Sequence, residues 1–198
     1  MRIETERLII TEFTMDMARD VHLNSLDEDN RRFVPDEVFE TEEEARETIA
    51  FLISRYGGIE GPLTYPVLIK TGGENIGYVQ LVPLGDGKWE IGYHIANRHT
   101  GNGYATEAVR AFLPVMAKKT GIPEVLGICL EDNAASKHVL MKCGFEPVFD
   151  GTGEYQGEQR KIFRSIWKSA PCCSYSSPPT AAWQVALTSS QNASCSAR

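Results

Sequence analysis

The sequence predicts an α+β fold in which about four helices flank a mixed central sheet of about six to seven strands. The first observation behind this prediction is an apolar, β-branched stretch over residues 65–95, which glycine-rich turns divide into three consecutive strands. The second is a strand–helix–strand succession over residues 89–130, which requires a parallel pair of strands beside that antiparallel meander. A sheet with both kinds of pairing is mixed, and helices cover its faces.

Composition places the chain in the ordinary globular class. Its 198 residues fit one domain, and the 42% of apolar residues suffice for a sizeable core. No run of eighteen apolar residues is present, so no membrane span is predicted, and the charged first residues differ from a secretion signal. We therefore expect a cytoplasmic protein with no membrane partner.

The charge and the reactive residue types exclude two further classes. A net charge of −7 repels nucleic acid and favours cationic ligands. The five cysteines and four histidines form no Cys-x-x-Cys or His-x-x-x-His pair, so we expect no metal site.

The N-terminal quarter begins with a strand and continues into helices. Residues 4–13 are rich in β-formers and predict the first strand. A helix is expected from Met15 and breaks up in the polar residues 27–30. Thr41 precedes a second helix, and Glu44 three residues later completes a capping box.

Three strands follow, at residues 65–70, 75–84 and 89–95, joined by turns at 71–75 and 85–87. Strands joined by such short turns pair antiparallel with their neighbours in sequence. They form the meander on which the rest of the sheet is built.

The longest amphipathic run covers residues 105–119 and carries its apolar side chains on one stripe. Pro114 lies inside this run and predicts a kink. Residues 124–130 then form a strand that must lie parallel to the strand at 89–95.

The last quarter of the domain contains a short helix at residues 134–142 and two strands at about 146–149 and 159–167. The glycine-rich residues 151–157 predict the turn between these strands. From residue 169 to 198 the composition changes to Ser, Pro, Ala and Thr with a single charge, which predicts a disordered or non-native tail outside a domain at 1–168.

A glycine turn joins the third meander strand to the long helix. The segment Arg98-His99-Thr100-Gly101-Asn102-Gly103 leads into Tyr104-Ala105-Thr106-Glu107-Ala108. The first N–H groups of a helix lack intrahelical partners and carry the positive end of the helix dipole, so they bind phosphate groups. The same glycine pair also occurs in ordinary strand-to-helix turns.

A second motif, Asn133-Ala134-Ala135-Ser136 to Gly144-Phe145, lies about thirty residues further on and also follows a strand. In its simplest interpretation Asn133 caps the short helix and Ser136 is a first-turn residue.

Together these motifs resemble the GNAT (GCN5-related N-acetyltransferase) superfamily. The first is similar to its Gln/Arg-x-x-Gly-x-Gly/Ala signature, and the second to its Asn-x-x-Ser element. Two longer strings look like the ribosomal-protein N-terminal acetyltransferase (RimJ/RimL-like) branch. They are Ile91-Gly92-Tyr93-x-Ile95…Gly-x-Gly-Tyr-Ala-Thr-Glu-Ala and the opening Thr5-Glu6-Arg7-Leu8. The resemblance covers about residues 1–168 and implies the GNAT fold with acetyl-CoA as cosubstrate.

The resemblance also implies a set of site residues. Glu90 matches a glutamate often proposed as general base, with His94 as the alternative, and Ser136 is the candidate proton donor to the departing thiolate. Leu140 stands where many GNAT proteins have a tyrosine for this step. The residues expected to bind acetyl-CoA are Ile95, Arg98, His99, Thr100, Gly101, Asn102, Gly103, Tyr104, Ala105, Thr106, Asn133 and Ser136.

The implied function is transfer of acetyl from acetyl-CoA directly to a primary amine, either a protein N-terminus or a small molecule, by a monomer or homodimer. A GNAT-fold module that binds CoA without turnover is an open alternative. A dinucleotide-binding domain is a poorer one, because Thr106 occupies the position of the third glycine and a meander precedes the loop.

Overall fold

The computed structural model describes residues 1–169 and contains eight strands and five α-helices in that range. The predicted tail at 169–198 falls, apart from Ser169, outside the described residues. In chain order the elements are β1 (Ile3–Glu4), β2 (Leu8–Ile10), α1 (Ala18–Ser25), α2 (Glu28–Phe33), α3 (Glu42–Arg55), β3 (Leu63–Ile69), β4 (Asn75–Gly85), β5 (Lys88–Ile95), α4 (Tyr104–Thr120), β6 (Glu124–Leu130), α5 (Ala134–Lys142), β7 (Glu146–Tyr155) and β8 (Glu158–Lys168).

All eight strands belong to one sheet with the order β1-β2-β3-β4-β5-β6-β8-β7. Every neighbouring pair is antiparallel except β5 and β6, which are parallel. The predicted mixed sheet with its meander and one parallel pair is therefore confirmed, with one strand and one helix more than expected.

Helices cover both faces of this sheet. Along β4, Val79 belongs to the main core cluster, which includes Phe112 and Met116 of α4, whereas the adjacent Tyr78 packs against the smaller cluster of α1 and α3. Because successive strand residues point to opposite faces, α4 and the α1–α3 pair lie on opposite sides. The predicted capping box of α3 is present, since Thr41 and Glu44 exchange hydrogen bonds.

Two of the sequence predictions for the N-terminal quarter are wrong in detail. The strand expected at 4–13 is instead a short hairpin of β1 and β2. The chain turns because the Thr5 N–H donates to the Leu8 carbonyl at 3.0 Å and the Leu8 N–H donates to the Thr5 hydroxyl at 2.8 Å. The polar residues 27–30, where the first helix was expected to break up, instead form the N-cap and start of α2. Its acidic residues lie in the first turn and its arginines in the last, which suits the helix dipole, and buried Asn30 anchors it.

The turn predicted at 151–157 is also wrong, because β7 continues to Tyr155. Gly151 and Gly153 lie within this strand, and a Cβ on Gly153 would come within 3.0 Å of the Ile162 side chain. The actual turn is Gln156-Gly157, both with positive φ, as a two-residue hairpin requires.

Helix α4 continues through Pro114, where a kink was predicted. Pro114 lies on the exposed side of the helix. Water can therefore take the place of the hydrogen bond that proline cannot donate to the preceding turn.

Candidate active site

The candidate active site is a cleft where β5 and β6 separate. The parallel pairing between these strands is formed at Glu90 and Leu126, and beyond that pair they are no longer paired with each other, while β5 stays paired with β4 to Ile95 and β6 with β8 to Leu130. The gap widens into a cleft of about 400 Å³, which both strand ends line. The split therefore exposes backbone groups of a central strand inside the fold.

The glycine loop and the start of α4 form one end of this cleft. Gly101 and Gly103 have φ of 78° and 79°, which favours glycine, and Gly103 is the N-cap of α4. Since glycine offers no capping side chain, the first N–H groups of α4 have no side-chain partner at that residue. This end of the cleft can bind an anion such as a pyrophosphate.

Most of the predicted site residues line this cleft, but Arg98 and Asn102 do not. The Glu74 carboxylate binds Arg98 and the His99 ring, each at 3.1 Å, and the Asn102 amide donates to the carbonyls of His99 and Thr100. The predicted residues that the structure brings together along the cleft are Glu90, Ile95, His99, Thr100, Gly101, Gly103, Tyr104, Ala105, Thr106, Asn133 and Ser136.

Helix α5 presents Ser136 to the cleft. Asn133 caps this helix by accepting from the Ser136 N–H at 3.0 Å, as its simplest interpretation predicted, and both residues line the cleft. The Ser136 hydroxyl lies 2.8 Å from the hydroxyl of Tyr93 on β5. Leu140 is 1% exposed in the core, so the tyrosine that contacts this site comes from β5 and not from α5.

Glu90 stands at the fork between the two strands. Burial raises the pKa of its carboxyl to about 7, while a hydrogen bond from the Tyr155 hydroxyl at 3.3 Å and the charge of Arg164 act in the opposite direction. A carboxyl with this pKa is able to accept a proton near neutral pH.

His94, the alternative base, also lines the cleft. Burial lowers its pKa to about 4, although the carboxylate of Asp27, 4.0 Å from Nε2, opposes this. The ring is therefore neutral at pH 7 and a weaker base than Glu90.

A second buried carboxyl, Glu37, lies on the same side of the sheet. It accepts a hydrogen bond from Gln80 at 2.7 Å, and burial raises its pKa to about 7. Gln80 occupies the space beside Gly92, where a Cβ would lie 2.7 Å from its amide nitrogen. No local pattern singles out Glu37, because it follows an exposed acidic residue in a short turn.

The opposite wall of the cleft comes from α2 and from the β7–β8 hairpin. Asp29, Asn30 and Phe33 line it from α2, Val34 from the residue that follows this helix, and Tyr155 from the end of β7. Sequence analysis missed all five. Asp27, just before α2, fixes this wall to the end of β5 by accepting from the Asn97 N–H at 2.6 Å.

Residues 1–169 contain neither a candidate metal site nor a candidate membrane span. In this range no group of three or more His, Cys, Asp or Glu side chains has the arrangement of a metal site. None of the helices in the same range has the length and apolar character needed to cross a membrane.

The fold and the cleft at the split of the sheet define an acetyltransferase fold, and the chain belongs to the GNAT family. A sequence profile described as "Acetyltransferase (GNAT) domain" matches residues 7–146. YnaD of Bacillus subtilis (strain 168), named an uncharacterized N-acetyltransferase, is 29% identical over 145 residues, which cover 73% of this chain and 82% of YnaD.

Solved structures support the same fold. A GNAT-family acetyltransferase from Bacillus anthracis superposes with a TM-score of 0.71 at 24% identity, over 85% of this chain and 98% of that one. RimL, a ribosomal L7/L12 alpha-N-protein acetyltransferase solved in complex with coenzyme A, superposes with a TM-score of 0.70 at 18% identity, over 85% and 98% of the two chains.

Proposed function

We propose that this protein transfers an acetyl group from acetyl-CoA to a primary amine. The observation that carries the proposal is Glu90, a partly buried carboxyl with a pKa raised to about 7, at the fork of a GNAT cleft. An amine must lose a proton to attack a thioester, and a base of this pKa at this position supplies that step.

The cofactor end fits a pyrophosphate and the arm attached to it. The glycine loop and the first turn of α4 offer backbone donors, and Asn133 and Ser136 line the adjoining part of the cleft. Acetyl-CoA, when bound, supplies an acetyl group already activated as a thioester. CoA in the structure of RimL supports this assignment.

Backbone geometry supplies a donor for the oxyanion. The Ala96 N–H donates to Ile76 on β4 at 2.8 Å. Because N–H groups alternate in direction along a strand, the Ile95 N–H points to the opposite edge, which faces the gap toward β6. A preorganised N–H there stabilises negative charge on the carbonyl oxygen.

Glu90 takes the proton from the amine, directly or through a water molecule. At pH 7, deprotonation of an α-amine with a pKa of about 8 costs about 1 kcal/mol, and that of a lysine-type amine about 4–5 kcal/mol. The base is therefore more important for the second class. Positioning of the two reactants contributes roughly 7–11 kcal/mol in either case.

Ser136 donates its hydroxyl proton to the leaving thiolate and regains one from water, while Glu90 releases the amine proton to water, so the net change is one proton moved from the amine to the thiol of CoA. Its hydroxyl lies in the cleft and contacts the Tyr93 hydroxyl, so the serine and the tyrosine form one hydrogen-bonded pair. Burial raises the pKa of Tyr93, which keeps this phenol protonated at neutral pH. Tyr93 thus orients Ser136 toward the cleft.

The acceptor is a protein N-terminus or a small primary amine, and the reaction takes place in the cytoplasm. The first choice rests on the likeness to RimL, whose name assigns it a ribosomal protein substrate. The carboxyl groups of Asp29 and Glu90, which both line the cleft, favour a cationic acceptor of either kind.

The test is turnover with a panel of amines, measured by the release of the free thiol of CoA. Glu90→Gln should lower the rate at neutral pH by about tenfold or more, because the general base is lost. Glu131→Gln is the matched control, since it removes the same charge from an exposed residue paired with Lys161. CoA binding without turnover of any amine by the wild type would instead support a binding module.

A further inference from the structure

Arg7 lies outside the cleft but contacts the glycine loop and α4 at several points. Its Nε and Nη2 donate to Glu107 Oε2 at 2.7 and 2.6 Å, its Nη1 donates to the Asn102 carbonyl at 3.0 Å, and its backbone N–H donates to Glu107 Oε1 at 3.1 Å. The guanidinium also lies over the ring of Tyr104, 4.6 Å from its centre.

These contacts join the N-terminal hairpin to the phosphate-binding end of the cleft, about a hundred residues later in the chain. Thr5 adds a hydrogen bond to Glu107 at 2.6 Å. Residues of the N-terminal string Thr5-Glu6-Arg7-Leu8 and of the string after the glycine loop therefore meet in space. The proposed mechanism leaves both Arg7 and Glu107 unused.

The bond to Asn102 determines the direction of one peptide group. In a trans peptide the N–H points opposite to the C=O. Since Arg7 holds the Asn102 carbonyl outside the cleft, the N–H of Gly103 points away from Arg7. Gly103 lines the cleft, whereas Asn102 and Arg7 do not.

Arg7 also neutralises an unfavourable charge. The Glu107 side chain is 18% exposed in the first turn of α4, close to where a pyrophosphate would bind. Burial opposes its ionisation, but hydrogen bonds from Thr5 and Arg7 hold the pKa of this carboxyl below its usual range. Without Arg7, this carboxylate would repel a bound anion.

We propose that Arg7 is a positioning residue for the pyrophosphate of the acyl donor: it orients the Asn102–Gly103 peptide and neutralises Glu107. The inference rests on the proposed function for its ligand. An effect of Arg7 through the pyrophosphate alters binding of the acyl donor and leaves the chemical step unchanged.

The experiment compares Arg7→Gln with the wild type on two donors, acetyl-CoA and S-acetylpantetheine, which lacks the pyrophosphate. We expect the KM for acetyl-CoA to rise about tenfold or more with kcat unchanged, since a hydrogen bond from a charged donor is lost. The KM for S-acetylpantetheine should stay within twofold. The matched control is Arg46→Gln, which removes the same charge from the exposed side of α3.

Arg7→Lys keeps the charge but cannot hold Glu107 and Asn102 together, so we expect an intermediate rise in KM. It also serves as the test variant if Arg7→Gln does not fold. An equal loss on both donors, a fall in kcat alone, or no change would overturn the proposal. Calorimetry of CoA binding tests the role of Arg7 separately from the proposed acetyl transfer. If the wild type binds CoA but acetylates no amine, the proposed function is refuted, and the difference in CoA affinity between wild type and Arg7→Gln still measures the role of Arg7.

Discussion

The buried carboxyl of Glu90 should leave a signature in the pH dependence of stability. Its pKa is about 7 in the folded protein against 4.5 in the unfolded chain. A raised pKa gives a stabilising contribution that is complete below the unfolded value and is lost as the pH rises through the folded value. Ionised Glu90 therefore destabilises the fold above pH 7.

Glu90→Gln removes this dependence while its side-chain oxygen can still accept from Tyr155. With about 1.4 kcal/mol for each pH unit between the two pKa values, the full penalty is about 3 kcal/mol. The free energy of unfolding of the variant minus that of the wild type should therefore increase by about 2–3 kcal/mol between pH 5 and pH 8. The same groups titrate elsewhere in both proteins, so the difference isolates residue 90 and its neighbours.

The assay is urea unfolding of both proteins at several pH values. Glu37→Gln provides a positive control, because burial raises the pKa of Glu37 in the same direction. A difference between Glu90→Gln and wild type that stays constant with pH would refute the burial of this carboxyl. The proposed general base would then lose its main support.

Two further predictions concern the sheet and the leaving group. Gly77→Ala should destabilise the protein by about 4 kcal/mol or more, because the new Cβ would lie 2.0 Å from the His94 carbonyl oxygen. Gly57→Ala is the control and should be nearly neutral, because there is open space around Gly57. Urea unfolding of both variants checks this prediction, and similar stabilities would contradict it. Ser136→Ala should lower kcat about tenfold at saturating acetyl-CoA in steady-state assays. The loss is modest because a thiolate is already a good leaving group near neutral pH. An unchanged kcat would remove Ser136 from the mechanism.

Local patterns were enough to predict most of the elements. The bounds of β6 and α5 agree with the prediction, and the capping box of α3 is formed as its spacing indicated. In each case the signal lies within a few neighbouring residues. The order of β3 to β6 could also be inferred, because short turns and one crossover helix leave few arrangements.

The remaining features depend on contacts between distant parts of the chain. Glycines 151 and 153 suggest a turn in sequence, and only their pairing with Ile162 and Arg160 of β8 shows that they belong to a strand. Likewise, nothing near Tyr93 indicates that its hydroxyl meets Ser136, 43 residues later. The acceptor wall from α2 was missed for the same reason.

The split between β5 and β6 has a consequence for how such a protein can change over time. At the end of the cleft formed by the glycine loop, the anion-binding groups that the proposed function uses belong to the main chain, at Gly103 and the start of α4, and side-chain substitutions elsewhere in the loop do not remove those N–H groups. At the other end of the cleft the lining groups are side chains on α2, β5 and β7, each replaceable on its own. Under the proposed function a new acceptor preference therefore needs few substitutions, and efforts to redesign specificity should begin at Asp29 and Phe33.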